Sequence, residues 1–121
     1  MFDYEKFVMD IPRNDIQLEL DGMGEECGEI FGVIKRMRRG DYGGEVQQYI
    51  IKYGLKNTLQ SFDKPRMDLL KEIGDLHYYI TRIILEIGVN REYIELLNRA
   101  KYENRLEKGN LLGKGSNRES D

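Results

Sequence analysis

Residues 15–39, DIQLELDGMGEECGEIFGVIKRMRR, decide the fold. Apolar residues fall at Ile16, Leu20, Met23, Cys27, Ile30, Ile34 and Met37. The steps alternate four and three, the period of one helix stripe. Asn14 or Asp15 suits the N-cap. Gly40 and the Gly43-Gly44 turn end the pattern, and Arg36, Arg38 and Arg39 near its end complement the helix dipole. The spacing therefore predicts one long helix over about 15–39.

The same reading extends outward. Upstream, a short helix fits residues 3–9, broken at Pro12. Downstream, Val46, Tyr49, Ile50 and Tyr53 predict a short third helix stopped by Gly54, with residues 55–62 as a loop or brief turn. Asp63 caps the next helix and Pro65 is tolerated in its first turn. Its stripe runs Leu69, Ile73, Leu76, Ile80, Ile83 and Ile87, and Gly88 stops it. Leu70, Tyr79, Ile84 and Leu85 widen that surface, so a second subunit is expected to cover it. Asn90 caps a last helix to about residue 107, with Tyr93, Ile94, Leu97 and Leu106 pointing inward. Residues 109–121 are rich in Gly, Ser and Asn, without periodicity, and read as a flexible tail. No strand pattern survives. The fold class expected is all-α, a helical bundle of four to five helices, with one domain over 1–108.

Composition sets the limits on function. The chain has 121 residues, 40% hydrophobic and 34% charged, with a net charge of -3. That balance is globular, and its charge argues against nucleic acid or a membrane as partner. Cys27 is the sole cysteine, so no intrachain disulfide forms and a reducing compartment fits. Residues 1–10 mix acids with apolar side chains, unlike a signal peptide. The most apolar stretch, 78–89, is too short to span a bilayer and contains Arg82 and Glu86. A cytoplasmic protein is expected.

Two acidic motifs carry the chemistry: Glu25-Glu26-Cys27-Gly28-Glu29 and Glu72-Ile73-Gly74-Asp75. Each sets two carboxylates three residues apart, on one helix face, with a glycine just before the second. Two such helices side by side gather four carboxylates, which repel one another unless cations neutralise them. Mg2+ and Mn2+ prefer oxygen ligands. The competing reading is a solvated helix face. Three features weigh against it. Glu26, Glu29, Glu72 and Asp75 border the apolar stripes, where unpaired charge is costly. Gly24, Gly28, Gly32 and Gly74 suggest close helix approach, since each glycine costs roughly 1 kcal/mol against alanine inside a helix. Basic residues follow: Asn98, Lys101 and Arg105, then Lys114 and Arg118 in the tail.

Taken together, these residues resemble the MazG-type all-α nucleoside triphosphate pyrophosphohydrolases, relatives of the dimeric dUTPases. That family carries E-E-x-x-E and then E-x-x-D. Short, often phage-encoded members add N-x-x-K-L-x-x-R and a tail like K-G-x-G-D-N-R. Here the helix motif reads Asn98-Arg99-Ala100-Lys101-Tyr102-Glu103-Asn104-Arg105, and the tail Lys114-Gly115-Ser116-Asn117-Arg118. The resemblance covers about residues 15–118. Two departures stand out. Residues 30–71 separate the acidic motifs more widely than is usual, so 41–62 look like an insertion, and the tail is slightly short, which weakens the assignment of Arg118.

The resemblance implies a MazG-like fold and hydrolysis of a (deoxy)nucleoside triphosphate at the α–β bond, giving (d)NMP and pyrophosphate. Glu26, Glu29, Glu72 and Asp75 would hold two or three Mg2+ or Mn2+ ions. Glu25 would serve as an outer ligand or base, although its side chain points about 100° away from Glu26. Lys101 and Arg105 would grip phosphate oxygens beside Asn98, and Lys114 and Arg118 would close over them. The substrate lean is towards dGTP or GTP, as in some short members. A dUTP- or dCTP-type diphosphatase is the alternative within the class, and a non-enzymatic helical interaction module the alternative outside it. A homodimer or a dimer-of-dimers homotetramer, in a bacterial or infected-cell cytoplasm, completes the expectation. His77, one residue beyond the motif's face, reads as structural, and Cys27 as core. Tyr49 and Tyr53 are base-stacking candidates for which packing is the favoured role.

Overall fold

The computed structural model describes residues 1–12 and 15–109. Among them are five helices and no strand: α1 (Tyr4–Asp10), α2 (Ile16–Arg39), α3 (Gly44–Ser61), α4 (Asp63–Ile87) and α5 (Arg91–Lys108). The all-helical class and the boundaries of four helices follow the sequence pattern closely. Asp15 is the cap of α2, accepting from the backbone N–H groups of Gln17 and Leu18. Asp3 caps α1 and Asn90 caps α5 in the same manner.

α3 departs from expectation. Gly54 does not stop it; the chain kinks there (φ 86°, ψ 171°) and continues helically to Ser61. Only glycine adopts that backbone without strain. Thr58, fully buried, donates its hydroxyl to the Gly54 carbonyl at 2.7 Å, tying the second segment to the kink. Leu55 and Leu59 then pack on the core, which is why 55–61 stays helical and does not form the expected loop.

The described residues divide into two compact units, one ending at Ile83 and the other beginning at Ile84. In the first, the core lies between the C-terminal half of α2 and α3. Val33, Met37, Val46 and Ile50 are buried together, flanked by Tyr42, Leu55, Leu59, Phe62 and Leu69. Tyr42 donates its hydroxyl to Asp68 Oδ2 at 2.7 Å, joining the α2–α3 turn to α4. Arg36 hydrogen-bonds Tyr42 in turn, and Asp68 is held below the ordinary carboxylate range, chiefly by the Tyr42 bond and then by Lys64. α1 is fastened to α4 by Arg82. Its buried guanidinium donates from Nη1 to the carbonyls of Val8 (2.6 Å) and Ile11 (2.8 Å). Val8 is fully buried beside it. The last carbonyls of a helix lack intrahelical partners, so Arg82 acts as a cap delivered from another helix.

The buried face of α2 is turned from the stripe expected. Glu19, Gly22, Val33 and Met37 are buried, while Ile16, Leu20 and Cys27 are exposed. Cys27 is therefore not a core residue. The expected glycine ridge is not there either. A Cβ on Gly24, Gly28 or Gly74 would meet nothing within 4 Å, and one on Gly32 only the Arg36 side chain of its own helix. The close approach is at Gly22, where a Cβ would overlap the Tyr79 ring of α4.

In the second unit, Tyr93, Ile94, Leu97 and Leu106 are exposed, contrary to their expected inward placement, and Arg105 is the buried residue of α5. That unit holds one full helix and the end of α4. It has too little apolar surface to cover a stripe by itself.

These contacts make the glycines unequal. Gly22→Ala is expected to destabilise the fold by about 1–3 kcal/mol through overpacking against Tyr79. Gly24→Ala should instead stabilise it by up to about 1 kcal/mol. Urea unfolding midpoints of the two variants check both signs.

Candidate functional site

The site is assembled by α2 and α4 running antiparallel. Gly22 meets Tyr79, and one turn further along each helix Glu26 meets Glu72 and Asp75. Each motif contributes because its carboxylates share a face, and the two faces are turned together by the packing at Gly22. One carboxylate oxygen from each of Glu26, Glu72 and Asp75 lies within 4.8 Å of the others. Glu26 and Glu72 are half-buried, and Asp75 is exposed.

Glu26 bears the electrostatic load. Its Oε2 is buried and has no hydrogen-bond partner. Its pKa is raised from the ordinary 4.5 to about 7, first of all by loss of water. A hydrogen bond with Glu72 adds to the effect, followed by the charges of Asp75, Glu72 and Glu29. At neutral pH Glu26 is near half-protonated. A divalent cation would do the same task with more charge. Three hard oxygen donors and one buried oxygen without a partner fit Mg2+ or Mn2+.

Of the residues expected at the site, Glu26, Glu72 and Asp75 are brought together. Glu29, exposed and about one turn beyond Glu26, stands outside the group of three but within reach of its field. Glu25 is exposed and also outside it. Asn98 and Lys101 are exposed on α5, in the second unit. Arg105 is buried there, its guanidinium 5.3 Å from the centroid of the Tyr102 ring. Lys114 and Arg118, with the expected tail, lie outside the described residues. Tyr49 and Tyr53 pack on each other with centroids 4.5 Å apart, and Tyr49 packs edge-on to Phe62 at 5.2 Å. His77 stacks on Tyr4.

Sequence reasoning passed over Gly22, Glu19 and Tyr4. Glu19 is fully buried two turns before Glu26, on the same face. The signal lies in the i, i+3, i+7 spacing of Glu19, Gly22 and Glu26, which the more apolar stripe on the next face masks. No family model, curated protein or solved structure matches the chain.

The raised pKa of Glu26 has a definite sign in stability. The folded state binds this proton more tightly than the unfolded chain. Its contribution is full below about pH 4.5 and is lost as pH rises through about 7. Metal-free protein should therefore melt at a lower temperature at pH 8 than at pH 6, with a smaller drop in Glu26→Gln. Mn2+ should raise the melting temperature more at pH 8 than at pH 6, because cation and proton compete for the same oxygens. Calorimetry across that range, on both proteins, tests it.

Proposed function

We propose that this protein is a metal-dependent nucleoside triphosphate pyrophosphohydrolase, cleaving a (d)NTP at the α–β bond to (d)NMP and pyrophosphate. The observation that carries the reading is the meeting of the two acidic motifs. Glu26 from the first lies against Glu72 and Asp75 from the second, with oxygens within 4.8 Å and one buried without a partner. Carboxylates scattered on a solvated face have no reason to converge where their repulsion costs most.

In this reading Glu26, Glu72 and Asp75 hold the cation, and Glu29 stands one turn along to extend the cluster. When bound, Mg2+ or Mn2+ offsets the triphosphate charge and lowers the pKa of the attacking water. Glu25, exposed on the neighbouring face of α2, is the outer ligand or base that the resemblance implies. The phosphate-gripping roles of Asn98, Lys101, Arg105, Lys114 and Arg118 rest on the order of the motifs. The exposed apolar residues Met67, Leu70, Ile73 and Ile80 of α4 support a homodimer or a dimer of dimers, in which a second copy covers them. Guanine nucleotides are the first substrates to try, and dUTP and dCTP the alternatives.

Pyrophosphate release from a panel of NTPs and dNTPs, with Mg2+, Mn2+ or EDTA, tests the reading. The expected outcome is release that requires metal and drops at least roughly a hundredfold in Glu72→Ala, since a lost ligand removes several kcal/mol of charge stabilisation. Folded protein that releases no pyrophosphate from any nucleotide with metal present would leave a non-enzymatic helical module.

A further inference from the structure

Four rings meet where α1 reaches α4. Phe2, Tyr4 and Phe7 form a cluster with centroids 5.8–6.3 Å apart, and Tyr4 lies 5.0 Å from the His77 ring at an interplanar angle of 33°. His77 is two residues beyond Asp75 on α4. Tyr4 is half-buried, whereas Phe2 and Phe7 are 72% and 49% exposed. The cluster reaches α4 through the Tyr4–His77 contact, and the Tyr4 hydroxyl lies within the field of Asp75.

We propose that the Phe2–Tyr4–Phe7 cluster, backed by His77, is the stacking platform for the nucleobase of the substrate. The inference rests on the hydrolase reading above and adds where the base is held. A nucleoside triphosphate carries its planar, weakly polar ring at the opposite end from its phosphates. It is therefore served by an aromatic surface near a cation-holding acidic cluster, and here Tyr4 packs on His77, which lies two residues from Asp75 on the same helix. The Tyr4 hydroxyl feels that cluster: burial raises its pKa first, and Tyr78 and the Asp75 carboxylate raise it further. The platform is also held in place. Asp3 caps α1, Val8 is fully buried, and Arg82 pins the carbonyls of Val8 and Ile11. A surface fixed before binding loses less entropy when the base arrives. Stacking is tolerant of base identity, because every base offers a π-face, so the platform supplies affinity and leaves discrimination to other groups.

The test pairs nucleotide kinetics with a ligand that has no base. Tyr4→Leu and Phe2→Leu should raise KM for the preferred nucleotide roughly tenfold, as base–aromatic stacking generally contributes, with kcat little changed. Inhibition by tripolyphosphate in the presence of metal should not move, and Tyr4→Phe should behave as wild type. A KM unchanged in both leucine variants overturns the platform while leaving the hydrolase standing. A parallel rise in KM and in the tripolyphosphate inhibition constant overturns it too, by revealing a general disturbance of the site. Ring proton resonances of Phe2, Tyr4 and Phe7 give a readout independent of turnover. Shifts on adding the free nucleosides, from a protein that hydrolyses no triphosphate, would keep the platform and remove the hydrolase. No shifts and no turnover would remove both.

Discussion

The contact between the Tyr79 ring and the bare backbone of Gly22 sets everything else at this site. It brings α2 and α4 close at one level, and antiparallel geometry then dictates what lies one turn away. Glu26 is four residues after Gly22, and Asp75 four before Tyr79. Helical periodicity places both on the same side as the contact, so the packing that stabilises the helix pair also forces like charges together. At the other end of the pair, Val33 and Met37 with Val46 and Ile50 supply the apolar burial that keeps the arrangement closed.

The outcome is a local conflict within a stable frame. Carboxylates whose oxygens approach within 4.8 Å, one of them partly desolvated, are not a low-energy arrangement unless positive charge joins them. A proton is the minimal solution, and the raised pKa of Glu26 records it. In the proposed function a divalent cation is the larger one. Polar groups that disobey the core pattern often mark function for this reason: the fold tolerates the cost where chemistry requires it.

α1 shows how a short helix becomes part of such a frame. Seven residues do not hold a helix by themselves in water. This one is fixed by a side-chain cap at its start, a buried valine on its inner face, and an arginine from α4 at its carbonyl end. The same three anchors fix the helix whose Tyr4 packs on His77 of α4. The Tyr42–Asp68 hydrogen bond plays a comparable part at the opposite end of α4, locking the turn after α2.

By itself the sequence determined the helices and the motif-bearing carboxylates. Capping residues, glycine stops and the four-three period are local, and they act within a few residues of where they are read. Gly54 reads locally as a stop and is instead a kink; what local rules lacked was the burial of Thr58 and the packing of Leu55 and Leu59 on the core, which let the helix resume beyond it. Only the tertiary structure decided which face of α2 turns inward. A stripe through Ile16, Leu20 and Cys27 is more apolar than one through Glu19, Gly22 and Glu26, yet the first is exposed while Glu19 and Gly22 are buried and Glu26 half-buried. Periodicity fixes the angle between residues on a helix but not the rotation of the helix against its neighbours. That rotation was set by a small residue meeting a large ring across two helices, a fit between Gly22 and Tyr79 that neither local sequence contains.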